Sequence, residues 1–355
     1  MAIADVYTKL AEKVKAPPGS YIPEIISKLA APEEGEMMLA LPATPREFAK
    51  KFRMNEEAAK RKLEEFVTKG LVFRFIKEGQ IRYFFARSLG QLGDATHAAV
   101  FNHPDWPVRE EVLELWEKNA QKTVETIRAQ GGWPEGASTH RFRVIPLKRA
   151  VKDVAGMLPY EDTEAILKNA SAIAVVNCPC RMYQVEHGLN DKPLEICLQL
   201  TEGSAKYAEE QGAGRRLTLE EGMEKLRLGE EAGLIPSVFG GEKLGFICNC
   251  DGQGCGGLRV GVQTGFFNVE KSRYQSSVNR ELCNGCQTCV DRCIFGAIEM
   301  VKVPGSKKLK AQVNPEKCYG CGACVIKCPV EGAIIFKAVR PKEYIPLIEG
   351  AQLQV

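Results

Sequence analysis

Eight cysteines near the C-terminus fall into two groups with the same spacing, C-x2-C-x2-C-x3-C. The groups are Cys283, Cys286, Cys289 and Cys293, and then Cys318, Cys321, Cys324 and Cys328. A cubic [4Fe–4S] cluster needs four soft thiolate ligands around a compact object, and two-residue gaps let one tight turn supply three of them. The fourth thiolate of each group then serves the other cluster. The spacing therefore predicts two [4Fe–4S] clusters and electron-transfer chemistry.

In this crossed arrangement each cluster takes three cysteines from one motif and one from the other. The first cluster is assigned to Cys283, Cys286, Cys289 and Cys328, and the second to Cys318, Cys321, Cys324 and Cys293. Residues 276–338 resemble the bacterial-type two-cluster ferredoxins, and the two motifs form an internal repeat, as the halves of such a domain do. Ile294 and Phe295 follow Cys293 where that family usually has proline. A pair of zinc knuckles or a disulfide scaffold is the alternative reading of the eight cysteines.

Six further cysteines lie in the middle of the chain: Cys178, Cys180, Cys197, Cys248, Cys250 and Cys255. Two apolar segments, 171–177 and 244–247, are predicted strands that each end in C-x-C. If the strands share a sheet and end at the same edge, their thiolates converge, and nearby glycines let the backbone close over a metal centre. We therefore predict a third [4Fe–4S] cluster held by four of the six cysteines, without selecting the four. A four-cysteine zinc site and inert core thiols are the alternatives.

The first 95 residues predict helices and a hairpin. Thr44 and Asn55 are N-caps of two short helices, 45–52 and 56–69, and two strands rich in β-branched and aromatic residues flank Glu78-Gly79. This order resembles a winged-helix domain of the type found in bacterial MarR regulators. Acidic residues occupy the first turn of the second helix, where they would repel phosphate. We therefore expect this domain to dock a protein and not to bind DNA.

The fold class predicted from these elements is an α+β multidomain chain. A long amphipathic helix is predicted over 108–130. The predicted domains are a winged-helix-like domain at 1–95, a linker and long helix at 96–135, an α/β domain with the CPC and CNC motifs at 136–275, a ferredoxin-like dicluster domain at 276–340 and a tail at 341–355.

Length and composition agree with a redox protein inside the cell. The chain has 355 residues, 45% of them hydrophobic, and a formal net charge of +3. A charge this close to balance favours neither nucleic acid nor an acidic substrate. The N-terminal segment has no apolar signal core, and no apolar run approaches the roughly 20 residues that span a bilayer. We therefore expect a cytoplasmic location with no direct membrane insertion.

No nucleophile with an identifiable base, no HExxH motif and no complete P-loop occurs. The whole chain resembles anaerobe-type proteins that join a winged-helix head, a CPCR-containing middle and a dicluster ferredoxin tail. This resemblance implies an electron-transfer component that exchanges low-potential electrons with a larger oxidoreductase, for example a flavoprotein. The alternatives are a redox-responsive winged-helix transcription regulator and an enzyme whose active site is the middle-domain metal centre.

Four lysines lie between the two ferredoxin motifs, on a predicted hairpin that turns at Pro304-Gly305. They are Lys302, Lys307, Lys308 and Lys310. This is the densest basic stretch near a predicted cluster, so it is a candidate docking surface for an acidic partner. A solvated hairpin without a role is the alternative.

Overall fold

The structure is a computed structural model that describes residues 5–134, 142–152, 154–239 and 244–345. Most of the predicted tail at 341–355 therefore lies outside the described residues. Helices and strands follow one another in three stretches of chain, which we call the N-terminal, middle and C-terminal units.

The N-terminal unit contains seven helices and one hairpin within its described residues. They are α1 (Asp5–Lys13), α2 (Ile22–Leu29), α3 (Pro32–Leu39), α4 (Pro45–Phe52), α5 (Glu56–Thr68), β1 (Val72–Lys77), β2 (Gln80–Phe85), α6 (Leu89–Asn102) and α7 (Arg109–Gln130). The predicted caps are present. Thr44 Oγ1 accepts from the Glu47 N–H at 3.2 Å, and Asn55 Oδ1 accepts from the Ala58 N–H at 2.7 Å. The element order predicted for this region is therefore found, with the hairpin in antiparallel register.

Helix α6 was not predicted, and the predicted boundary at residue 95 falls inside it. Ser88 caps this helix by accepting from the Gln91 N–H. The helix contains glycine and alanine at many positions, so its sequence lacks the strong apolar periodicity that reveals α7. Because α6 packs on α7 and on a short 3-10 helix at Pro179–Arg181, it joins the N-terminal and middle units.

The middle unit is a six-stranded antiparallel sheet with helices. Its elements are β3 (Phe142–Val144), α8 (Thr163–Asn169), β4 (Ala174–Asn177), α9 (Met182–Glu186), β5 (Glu195–Gln199), α10 (Glu202–Glu210), β6 (Gly214–Arg216), α11 (Leu219–Ala232), β7 (Ile235–Phe239), β8 (Phe246–Cys250) and α12 (Gly256–Thr264). The strand order is β3-β7-β8-β5-β4-β6. Strand β5 runs antiparallel to both β4 and β8, so β4 and β8 point the same way and end at the same edge.

The two faces of this sheet differ in composition because side chains alternate along each strand. One face carries Val175, Leu198 and Ile247, which form an aliphatic core with residues of α8 and α11. The other face carries Cys197, Cys248 and Cys250. The sheet therefore separates an aliphatic layer from a cysteine-bearing layer.

The C-terminal unit is small and built of two similar halves. It comprises β9 (Tyr274–Val278), α13 (Thr288–Asp291), β10 (Ile298–Val301), β11 (Lys310–Val313), α14 (Ala323–Lys327) and β12 (Ile334–Ala338). Strand β9 pairs with β12, and β10 pairs with β11, both antiparallel. Each half supplies one short helix inside its cysteine motif.

A buried ion pair joins the middle and C-terminal units. Arg273, just before β9, donates to both carboxylate oxygens of Glu161 at 2.9 and 2.8 Å. The side chains are 4% and 1% exposed. A backbone hydrogen bond from the Leu147 N–H to the Cys321 carbonyl, at 2.9 Å, adds a second tie close to the second cysteine motif.

Polar and aromatic contacts attach the N-terminal unit to the middle unit. Arg74 on β1 pairs with Glu210 on α10 at 2.6 Å, and the ring of Phe73 stacks on Tyr207 at 5.2 Å. Met182, directly after the CPCR segment, is 1% exposed and lies in the N-terminal core. The hairpin base and the cysteine segment are therefore held together.

No helix in the described part of the chain has the length and apolar character needed to cross a bilayer.

Replacing Glu161 by Gln should destabilise the fold by about 3 kcal/mol, because it leaves the buried Arg273 charge without its partner. Urea unfolding followed by circular dichroism under anaerobic conditions measures the change. Glu224→Gln is the matched control, since its pair with Arg227 is about half exposed and should matter little. Equal losses in the two variants would show that Arg273 and Glu161 do not carry this interface.

Candidate functional site

The cysteines of the first predicted cluster surround one cavity in the C-terminal unit. Cys283, Cys286, Cys289 and Cys328 all line it, together with apolar side chains from β9, β10 and β12. Burial raises the pKa of Cys289 to about 11, and the charges of the other three thiols add to this effect. Cys286 is exposed, so this cavity lies next to the protein surface.

The cysteines of the second predicted cluster also lie together, but deeper. Burial raises the pKa of Cys321, and the charges of Cys324, Cys293 and Cys318 raise it further. Burial likewise raises the pKa of Cys324 to about 12, opposed by a hydrogen bond with Ser276. Cys293 of the first motif is thus placed among three cysteines of the second. Four soft sulfur donors around each of two centres suit the chemistry of a [4Fe–4S] cluster.

Two glycines in the second motif are required because the cysteine loop lies very close to other parts of the chain. Gly320 and Gly322 have φ of +68° and +79°, where a side chain would strain the backbone. A Cβ at Gly320 would lie 2.1 Å from the Tyr274 carbonyl, and one at Gly322 would lie 2.3 Å from the Ala150 Cβ. These glycines let the cysteine loop press against β9 and the middle unit.

Phe295, two residues after Cys293, has a structural use. It is buried, and its ring stacks on Tyr319 at 4.3 Å and lies 5.2 Å from Phe267. These rings belong to the core that also contains Cys250 and Cys255 of the middle unit. The Phe295 ring therefore supplies an apolar bridge between the second motif and the middle cysteines.

Comparison with known proteins agrees with this geometry. Residues 282–332 match the family model of the 4Fe-4S dicluster domain. The C-terminal unit is therefore an iron–sulfur domain of the ferredoxin type, as predicted, and this suggests a role in electron transfer. No curated protein and no solved structure matches the chain. The winged-helix and middle-unit resemblances rest on the sequence pattern alone.

The six middle cysteines lie at one edge and on one face of the sheet. Cys178 follows β4, Cys180 lies in the adjoining 3-10 helix, and Cys255 precedes α12. Cys197 lies in β5, opposite Val176 of β4. The second strand was predicted to end at residue 247, before its cysteines. This prediction was wrong: Cys248 and Cys250 lie within β8 and, two residues apart, point to the same face.

The six thiols interact in an unbroken series. Each thiol shifts the pKa of the next one in the order Cys180, Cys178, Cys197, Cys248, Cys250 and Cys255. The charge of Cys255 also acts on Cys180, so the two ends of the series lie near each other. The structure therefore brings together all six cysteines, and not a subset of four.

Cys197 is the thiol best prepared to be a thiolate. Hydrogen bonds from Cys178 and Cys248 lower its pKa well below the usual value, and the Asn249 N–H and the nearby Arg181 charge add to this effect. Within the described residues, no group of three or more His, Cys, Asp or Glu side chains is placed to hold a single metal ion.

Arg181, the last residue of the CPCR segment, is the charged group that sequence reasoning missed. Its side chain is 0% exposed, donates to the carbonyls of Pro193 and Asn249 at 2.8 and 2.6 Å, and pairs with Asp251 at 3.1 Å. Burial alone would lower its pKa, but the charges of Cys178 and Asp251 raise it. A fixed positive charge therefore lies beside the thiols. The arginine at the end of the CPCR segment could have indicated from the sequence that a positive charge lies next to these cysteines.

Asp94 on α6 is a second charged group near the middle thiols that the sequence did not reveal. Burial raises its pKa to about 7, yet its side chain is accessible to solvent while Gly93 and Ala95 beside it are buried. Its charge acts on Cys180, which is likewise accessible.

Proposed function

We propose that this chain relays low-potential electrons to or from a larger oxidoreductase through two [4Fe–4S] clusters in the C-terminal unit. The observation that carries the proposal is the gathering of the eight motif cysteines into two sets of four. Cys283, Cys286, Cys289 and Cys328 hold the first cluster, and Cys318, Cys321, Cys324 and Cys293 hold the second. The clusters supply reversible one-electron chemistry when bound.

The proposal extends to a third [4Fe–4S] cluster, held by four of the six middle cysteines. Six neighbouring thiols provide more soft donors than one cubane needs. Arg181 favours such a group because its charge offsets the negative charge of several thiolates, and the Arg181–Asp251 pair fixes its position. We call this proposed group the middle centre.

The positions of the three sets suggest an order of electron transfer. The first set is nearest the surface, since Cys286 is exposed. The second set touches the middle unit through the hydrogen bond from Leu147 to the Cys321 carbonyl and through the ring of Phe295. Electrons from an external partner therefore enter at the first set and reach the middle centre by way of the second.

The hairpin formed by β10 and β11, which carries the four lysines, supports docking of a partner protein at the cysteines of the first cluster. Lys310 on β11 donates to the Cys283 carbonyl, and the side chain of Lys308 lies 3.5 Å from the position of a Cβ at Gly285. Lys302, Lys307 and Lys308 are exposed. A partner with an acidic surface around its own redox group, such as a flavoprotein, suits this rim.

The N-terminal unit is proposed to organise proteins and not to bind DNA. Lys62 on α5 pairs with Glu34 and Glu65, as does Lys69, which leaves less free positive charge on that helix. The β1–β2 hairpin of this unit is attached to the middle unit through the ion pair of Arg74 with Glu210. A redox-responsive regulator in the cytoplasm remains the alternative, and salt-dependent DNA binding is the result that would favour it.

Replacing one cysteine in each motif should remove one cluster at a time. Cys286→Ser should abolish the reduced-cluster EPR signal of the first cluster and Cys321→Ser that of the second, because each removes a ligand from a different set. The N-terminal unit should stay folded, as circular dichroism can check. Retention of both signals in either variant would contradict the ligand assignment.

The whole anaerobic protein should contain about twelve iron atoms per chain, four for each of three cubes. Cys197→Ser should lower this to about eight and leave both ferredoxin EPR signals in place, because Cys197 lies at the middle of the thiol series. Iron, zinc and sulfide analysis measures both values. If the unaltered protein contained about eight iron atoms and one zinc, the middle cysteines would hold a structural zinc ion and not a third cluster.

Reversing two charges on the hairpin should slow electron transfer from an acidic partner. With a reduced acidic flavodoxin as donor, Lys307→Glu with Lys308→Glu should lower the association rate at low salt and flatten its salt dependence, since exposed charges are screened beyond about 8 Å at physiological ionic strength. Stopped-flow absorbance measures the rate.

The matched control reverses two adjacent exposed lysines on α4, Lys50→Glu with Lys51→Glu, for the same change in net charge. Its association rate should fall less. If instead only the α4 variant slows association, the N-terminal unit and not the hairpin holds the partner.

A further inference from the structure

A serine hydroxyl lies beside one buried cysteine of the second set. The Oγ of Ser276, on β9, is 3.2 Å from the Sγ of Cys324. Ser276 is 5% exposed and Cys324 is 7% exposed. A thiolate bound to iron has no proton to give, so in the loaded protein the hydroxyl donates and the sulfur accepts. Because both groups are buried, water has little access to replace this hydrogen bond if it is removed.

The internal repeat has this hydroxyl in one half and a methyl group in the other. The segments SSVNRELC and AQVNPEKC, which begin at Ser276 and Ala311 and end at the first cysteine of each motif, align without a gap. The strand register agrees with the alignment. Ser276 is opposite Phe336 of β12, and Ala311 is opposite Met300 of β10, at the same step of each strand pair.

Ala311 lies beside the first set as Ser276 lies beside the second. It is 2% exposed and lines the cavity of the first set together with Cys289. Cys289 and Cys324 are the third cysteines of their motifs, and both are buried. A methyl group cannot donate a hydrogen bond. The two halves therefore differ, at one equivalent strand position, in whether a buried donor reaches the third cysteine.

The first set also has a hydroxyl contact, but at the surface. Thr288 Oγ1 donates to the Cys286 Sγ at 3.5 Å. Cys286 is exposed, so water can donate to this sulfur whether or not the threonine is present. This contact therefore adds less to the first set than the buried contact of Ser276 adds to the second.

A buried donor at a cluster ligand acts on the reduction potential. Reduction adds one negative charge to the cluster and its thiolates, so a hydrogen bond to a ligand sulfur stabilises the reduced form more than the oxidised form. The proton stays on the Ser276 Oγ, and the step transfers one electron and no proton. The sign follows: the hydroxyl raises the potential of the second cluster.

We propose that Ser276, through its hydrogen bond to Cys324, raises the reduction potential of the second cluster above that of the first and so directs electrons toward the middle unit. This inference rests on the proposed function, in which electrons enter at the first set. Ser276 is not a ligand. It acts through one, and it gives the relay a direction.

Redox titration of the whole anaerobic protein, followed by EPR, tests this role. The Cys286→Ser and Cys321→Ser variants assign the two ferredoxin signals. In the unaltered protein the second cluster should have the higher potential. Ser276→Ala should shift the one-electron equilibrium of the second cluster about tenfold toward the oxidised form, which is about 59 mV, and leave the first cluster unchanged.

Two further variants complete the comparison. Thr288→Ala is the matched control, since it also removes a hydroxyl from a ligand cysteine, and it should change the first potential much less because water replaces the donor. Ala311→Ser is the reciprocal variant. It places a hydroxyl beside Cys289 and should raise the potential of the first cluster by a similar factor.

The outcomes separate this inference from the proposed function. If the two cysteine variants fail to separate two signals, the ligand assignment of the proposed function is wrong. If the signals separate and the second cluster has the lower potential in the unaltered protein, the inference is refuted. An unchanged second potential in Ser276→Ala at equal iron content refutes it as well. Should Ser276→Ala lose iron, an unchanged first potential in Ala311→Ser overturns the inference.

Discussion

The arrangement of the middle unit depends on one constraint, the position of β5 between β4 and β8. Because β5 is antiparallel to both neighbours, the two C-x-C segments emerge at the same edge of the sheet. Cys197 on β5 then lies between them, opposite Val176. A parallel neighbour or a different strand order would place the two segments at opposite edges. The pairing of these strands therefore places the sulfur atoms at one edge of the sheet.

This sheet also fixes how the other two units meet the cysteines. Its cysteine-bearing face packs against Phe295 and Phe336 of the C-terminal unit, and Met182 next to the CPCR segment enters the core of the N-terminal unit. Buried apolar area drives both contacts, and the Arg273–Glu161 pair adds a defined orientation to the first. The three stretches of chain thus form one scaffold around the middle thiols.

The sequence predicted best those features that depend on local chemistry. Thr44 and Asn55 are N-caps, as expected from side chains that satisfy free backbone N–H groups, and the cysteine spacing indicated the dicluster domain that the family match supports. The end of β8 was misplaced because alternating cysteine and asparagine resembles a loop, although cysteine packs well in a strand. Helix α6 was missed because its glycines and alanines give little periodicity. Asp94 and Cys180 are 86 residues apart by number, and only tertiary packing brings their charges within reach of each other.

The charges around the middle thiols differ between the closed and the accessible side. On the closed side, Arg181 is fully buried and engaged by Asp251 and by two backbone carbonyls, so it offsets thiolate charge without being free to move. On the accessible side, Asp94 is exposed on α6, and its charge raises the pKa of Cys180. The two charged groups therefore act in opposite directions on the middle thiols. The Arg181 charge lowers the pKa of Cys197 and favours its thiolate form, whereas the Asp94 charge raises the pKa of Cys180 and favours its thiol form.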